Sequence, residues 1–296
     1  MSDNSKNTLS TAFLNLEDDT DFENSNIVLQ SVPFDLTTSY QKGTRYGPNA
    51  IIEASKYLEI FDVETQTELC SEKGIFTAQP LHFSSSEEMI FGLKKNTSSL
   101  LTQGKFVVTL GGEHSISFPC IQAHADHYGK ISVLQLDAHA DLHPALNGNP
   151  LSHGSVISRV KELKNVDNLV AAGIRSMSSI EKKYLHDQTT LYSHEIHSSN
   201  SWIDSAIENL SDLVYITLDV DVFDSSLMPS TGTPEPGGLF WHQVFQLLKK
   251  LTDVKKVIGF DVVELMPIKG IVSPDFTTAK AIYKLLSYIF RNNNDL

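Results

Sequence analysis

Cysteine is almost missing from this chain. Cys70 and Cys120 are the two among 296 residues, far apart and outside any Cys-x-x-Cys spacing. That excludes a disulfide scaffold and fits a reducing compartment, with two unremarkable thiols. Basic charge is scarce as well. Lys and Arg number 23 against 36 Asp and Glu, a net charge of −13, which argues against nucleic acid as a partner, because holding a phosphate backbone takes clustered cations. The acidic balance suits a cationic substrate, although solubility alone also favours it. No apolar stretch reaches the length of a membrane span, and the first residues lack the basic-then-apolar pattern of a signal peptide. The expectation is a cytoplasmic protein with no membrane partner. The glycine-rich segment Thr231-Gly232-Thr233-Pro234-Glu235-Pro236-Gly237-Gly238 lacks the Gly-Lys-Ser/Thr ending of a phosphate loop. Its prolines and glycines read instead as a shaped wall.

What is present alternates. Residues 1–24 are rich in Asn, Ser, Thr and Asp and read as a flexible N-terminal arm, docked through Phe13 and Leu14. Residues 25–296 then form one domain. Short apolar, β-branched runs at 27–32, 105–110, 131–136, 169–174, 213–218 and 256–260 read as strands. Between them, helices are expected near 50–58, 117–127, 155–163, 201–210, 241–251 and 277–290, the first with Pro48 at its opening turn. Strands alternating with amphipathic helices predict a mostly parallel sheet covered on both faces, an α/β fold.

In such sheets ligands bind outside the carboxyl ends of the strands. Four features fall there: Gly111-Gly112-Glu113-His114, Asp137-Ala138-His139-Ala140-Asp141, Asp219-Val220-Asp221 and Asp261-Val262-Val263-Glu264. In extended backbone, Asp137, His139 and Asp141 project the same way from one strand end. A lone Asp after a strand is commonly a cap or turn residue; three metal-grade groups at a buried strand end are not explained so simply. Asp and His together suit Mn, Fe, Co, Ni or Zn, and four Asp with two His exceed what one ion takes. The set reads as a two-metal hydrolytic site. His153, in the loop Ser152-His153-Gly154-Ser155, is placed to shuttle protons over such a site. His124 and His127 read as solvated histidines on a surface helix, His186, His194 and His197 as loop residues without a role, and Cys120 as a small buried apolar group.

These motifs resemble the ureohydrolase family, the arginase and agmatinase group. Gly-Gly-Glu-His-Ser at 111–115, Asp-Ala-His-Ala-Asp at 137–141 and Asp-Val-Asp-Val-Phe-Asp at 219–224 match in order, and the likeness runs from Val32-Pro33-Phe34-Asp35 to the last helix. The resemblance implies an arginase-like, single-domain, three-layer fold around a central sheet of about eight strands, assembled as a trimer or hexamer. It implies two divalent ions, Mn2+ foremost, with Ni, Co, Fe and Zn as alternatives. His114, Asp137, His139, Asp141, Asp219 and Asp221 would hold them, with Asp137 and either Asp221 or Asp141 bridging. Asp141 would also orient the attacking water and take its proton. Glu264 would pair with the guanidinium group, and His153, or a water it serves, would protonate the leaving amine.

The substrate is read from departures. Where arginases carry polar residues that recognise the amino-acid end, this chain has Leu142-His143-Pro144-Ala145-Leu146. The segments 40–48 and 231–238 look most like agmatinases. The resemblance therefore implies agmatine cleaved to putrescine and urea. Guanidinobutyrate, guanidinopropionate, free guanidine and arginine are the alternatives within the family; a one-metal zinc deacetylase and a non-catalytic metal-binding scaffold are the alternatives outside it.

Overall fold

A strand buried on both faces loses every polar position, and its sequence becomes an unbroken apolar run. The computed structural model describes residues 12–16, 21–199 and 201–291. Its strands are β1 (Ile27–Val32), β2 (Ile75–Thr77), β3 (Phe106–Gly111), β4 (Ile131–Leu136), β5 (Val166–Ile174), β6 (Thr189–Tyr192), β7 (Leu213–Asp219) and β8 (Lys256–Val263). They form one eight-stranded sheet in the order β2-β1-β3-β8-β7-β4-β5-β6, with every pairing parallel. Every residue of β1 and β4 is buried. The strands β2 and β6, which the apolar pattern does not announce, are the two edges of the sheet. One is three residues long, and the other is only half-buried along its length.

The helices among the described residues are α1 (Gly47–Ser55), α2 (Leu69–Lys73), α3 (Ser86–Thr102), α4 (Ser117–Tyr128), α5 (Val156–Val160), α6 (Ser193–Ile196), α7 (Trp202–Glu208), α8 (Trp241–Val254) and α9 (Ser273–Phe290). Alternation along β4 divides the core. Leu134 and Leu136 join the cluster built with α1, α7, α8 and α9, whereas Ile131 and Val133 join the one built with α3, α4 and α5. Three layers result. The helix expected at 155–163 is confined to α5, and the last helix starts four residues earlier than 277 because Pro274 sits comfortably in its first turn.

Much of the N-terminal arm, 1–11 and 17–20, lies outside the described residues. Phe13 and Leu14 are buried, and their N–H groups donate to Thr77 Oγ1 and Ser55 Oγ at 2.9 and 2.8 Å. His124 corrects the expectation of a solvated histidine. It shares a helix face with Cys120, is wholly buried, packs on Tyr215, and lies against Cys120 O at 2.8 Å through Nδ1. Burial pushes its pKa down to about 4.

One buried ion pair ties the loop after α1 to the last helix. Lys284 Nζ reaches both Asp62 oxygens at 2.9 and 3.0 Å and Glu64 Oε2 at 2.7 Å. Replacing Lys284 with Met strands the buried Asp62 charge and should cost about 3–5 kcal/mol in urea denaturation. Hydrogen bonds from Lys249, Lys284 and Tyr288 hold Glu64 at about 2, below its ordinary value of 4.5. A lowered folded-state pKa contributes stability above the unfolded pKa and loses it as pH falls. The extra acid loosening between roughly pH 4.5 and 2 should therefore shrink in the Lys284→Met protein.

Candidate metal centre

The four central strands β3, β8, β7 and β4 end side by side, and each delivers part of one site. After β3 the chain turns through Gly112, where an added Cβ would lie 1.9 Å from Phe34 O, so only glycine lets the two backbones touch. That turn sets His114 at the start of a single 3-10 turn (His114–Ile116). β4 delivers Asp137. β7 ends in Asp219, whose Oδ1 accepts the Asp221 N–H at 2.9 Å and caps the next 3-10 turn (Val220–Val222). β8 leads directly into Glu264.

Asp137, His139 and Asp141 do reach one site, but not by strand alternation. The backbone at Asp141 is left-handed, φ 52°, and so is that at Glu264, φ 66°. Such positions are uncommon for residues with a side chain and gather at functional sites.

The geometry has two halves. His114 Nδ1 faces Asp141 Oδ2 at 3.0 Å, Asp137 Oδ2 at 3.2 Å and Asp219 Oδ2 at 3.4 Å. His139 Nδ1 lies 2.8 Å from Asp221 Oδ2 and 3.8 Å from Asp137 Oδ1. Asp137 thus turns one oxygen to each half, and it belongs to both groups whose ligand atoms lie within 4.8 Å of one another: His114 with Asp137 and Asp219, and Asp137 with His139 and Asp221. Asp221 belongs to the second of these groups, while Asp141 sits on the His114 side. His114 Nδ1 is buried and aligned with no hydrogen-bond partner, although three carboxylate oxygens surround it. An orphaned imidazole nitrogen aimed into carboxylates fits a cation between them.

The charges say the same. Burial, then the Asp221 and Asp141 charges, raise Asp137 to about 6. Burial and the same crowding push Asp219 well above the usual carboxylate range. Burial alone would raise Asp221 too, but His139 beside it brings Asp221 to about 2, and His139 itself rises against its burial to about 10. A divalent ion between these groups would relieve the same crowding.

A second layer fixes the imidazole. His114 Nε2 donates to Thr217 Oγ1 at 2.9 Å, and the Thr217 hydroxyl donates to Asp261 Oδ1 at 2.7 Å. Asp261 also accepts from Ser117 Oγ and Tyr215 Oη. Asp261 therefore lies inside β8, buried, and not in the site where the strand-end reading set it. These contacts leave Nδ1 free to face a cation. Thr217→Val keeps the shape and breaks the relay; affinity for a divalent ion, read by competition with a chromophoric chelator, should fall about 10–100-fold.

A cavity of about 240 Å³ opens over the cluster, lined by His139, Asp141, Asp219, Asp221, His153 and Glu264 on its inner side. Tyr40, Gln41, His143 and Glu181 also line it, with Gly232 and Thr233 from the glycine-rich wall. Glu264 Oε1 accepts the His114 N–H at 2.7 Å, and burial together with the Glu113 charge raises its pKa well above the usual range. Glu181 is the site acid that sequence reading missed. It opens a 3-10 turn (Glu181–Tyr184) 44 residues from Asp137, approaching His143 Nε2 at 3.2 Å and accepting the Leu142 and Ser178 N–H groups.

Residues 25–290 match the model of the arginase family, and the chain belongs to that family. Within it, the protein is an agmatinase-like ureohydrolase, a hydrolase of amidino C–N bonds. It is 35% identical to an N(1)-aminopropylagmatine ureohydrolase of Synechocystis sp. over 286 residues, 93% of each chain. It is 34% identical to an agmatinase of Bacillus anthracis, covering 83% of this chain and 86% of that one. The crystal structure of an agmatine ureohydrolase of Thermoplasma volcanium superposes with TM-score 0.84 at 26% identity, covering 92% of both chains. No helix among the described residues is long and apolar enough to cross a membrane.

Proposed function

We propose that this enzyme releases urea from a linear guanidino-amine without a carboxylate, either agmatine or its aminopropyl-extended form. The observation that carries the reading is the wall of the cavity. Beyond the acids that would hold the ions, it carries Glu181 and Glu264 and, among the described residues, no Lys or Arg. With the ligand charges matched by the ions, the two remaining acids favour a cationic substrate, and no described cation of the lining offers a partner to the carboxylate of arginine or of a guanidino acid. The longer amine gains support from the relative that aligns over 93% of this chain and is named for it.

His114, Asp137, Asp141 and Asp219 would hold one ion, and Asp137, His139 and Asp221 the other. Mn2+ is our assignment for a mixed Asp/His set. When bound, the pair supplies the lowered water pKa that makes attack on a resonance-stabilised guanidinium carbon feasible near neutral pH. Asp141 orients the attacking water and accepts its proton. Glu264, whose charged form a neighbouring cation favours, pairs with the planar guanidinium N–H groups. His153 protonates the departing nitrogen, so that the C–N bond breaks to urea and an amine that is neutral at the cleaved end.

The test is urea release by Mn-loaded protein with agmatine, N1-aminopropylagmatine, arginine, guanidinobutyrate, guanidinopropionate and guanidine. One of the two amines should give the highest kcat/KM, with arginine and the guanidino acids lower by about 100-fold or more, since misplaced like charge costs several kcal/mol. Absence of urea from both amines would sink the reading.

A further inference from the structure

Glu113 is wholly buried and has no part in the chemistry above. Its Oε1 accepts the hydroxyl protons of Thr37 at 2.5 Å and Ser115 at 2.7 Å, and its Oε2 accepts the Thr37 backbone N–H at 2.6 Å. An ionised carboxylate only accepts, so the single hydroxyl proton of Thr37 is committed to it. Thr37 Oγ1 is left able only to accept, and both of its remaining contacts come from His153. The His153 backbone N–H donates to it at 3.0 Å, and ring Nδ1 lies 3.4 Å away. A ring nitrogen that faces an oxygen with no proton to give must carry the proton itself.

We propose that Glu113, acting through Thr37, is a positioning residue that holds neutral His153 as its Nδ1–H tautomer, with Nε2 the nitrogen that exchanges protons in the cavity. The consequence for turnover rests on His153 serving the leaving amine, as proposed above. Imidazolium gives its Nε2 proton to the amine nitrogen as the C–N bond breaks. The ring is left neutral with its proton on Nδ1, and the Nε2 lone pair takes the next proton from water. The three residues come from separate segments: Thr37 from the loop after β1, Glu113 from the loop after β3, and His153 from the loop after β4. No single motif reveals the chain of contacts.

The experiment is 15N–1H correlation of the histidine rings in the full chain, loaded with diamagnetic Zn2+, alongside steady-state kinetics of the Mn-loaded protein. The unsubstituted protein and Thr37→Ser should show neutral His153 as Nδ1–H. Thr37→Val should lose that preference and lower kcat roughly tenfold with KM within about twofold, a fraction of what general acid catalysis supplies. Glu113→Gln, whose amide turns a donor towards groups that already donate, should shift the tautomer the same way with Thr37 itself unsubstituted. An Nε2–H ring in the unsubstituted protein, or a Thr37→Val protein unchanged in both tautomer and kcat, would overturn the proposal. If no guanidino-amine yields urea and yet the Nδ1–H signature responds to Thr37→Val, the positioning stands and the substrate reading fails.

Discussion

Asp137→Asn should strip both halves of the metal centre at once. The carboxylate turns Oδ2 to the His114 side and Oδ1 to the His139 side, and the neutral amide offers one weak acceptor in place of two charged oxygens. A metal centre contributes several kcal/mol of transition-state stabilisation. Urea release should therefore fall on the order of 10³-fold or more. Metal content by mass spectrometry should fall from two ions per chain towards none. His139→Ala and Asp221→Ala alter one half, so they should leave one ion and still lose most of the activity. Two ions retained in Asp137→Asn would contradict a shared carboxylate, and full activity in the His139 and Asp221 variants would contradict a two-metal site.

Glu264→Gln should separate substrate recognition from metal binding. Gln can keep the acceptor that receives the His114 N–H, now at 2.7 Å, so metal content should not change. What it loses is the charge proposed to meet the guanidinium. Hydrogen bonds to charged groups contribute about 1.5–3 kcal/mol, so kcat/KM for the preferred guanidino-amine should fall up to roughly 100-fold. An unchanged kcat/KM would remove Glu264 from the substrate's path.

The sequence displayed the interior of this fold better than its margins. The runs at 27–32 and 131–136 coincide with β1 and β4 because a strand buried on both faces has no polar residue to blur its ends. The edges β2 and β6 carry no such signal, since a half-covered strand mixes polar with apolar residues. The residues that gather at the candidate site were legible as short motifs at strand ends. The residues that orient them were not. Thr217 lies 103 positions from His114, and Glu113 lies 76 from Thr37; only the folded sheet brings each pair together. His124 was misread because one buried imidazole looks like any other on a helix until Cys120 and Tyr215 are seen to share its face. Asp141 shows a different limit, for a strict period of two cannot foresee a backbone that turns left-handed at the third member.

The strand order has a consequence for how the protein is made. Synthesis supplies β1 to β6 first, yet β8 and β7 occupy the two positions between β3 and β4. A growing chain that has emerged only through β6 therefore holds two apolar half-sheets whose facing edges have nothing to pair with, a form prone to sticking to other chains. Asp219, Asp221 and Glu264 arrive with the two strands that close this gap. Ion capture would then report that the last third of the polypeptide has been threaded home, and the same ions would lock the seam shut. Chains cut short before β8 should accumulate in the insoluble fraction whatever the metal supply.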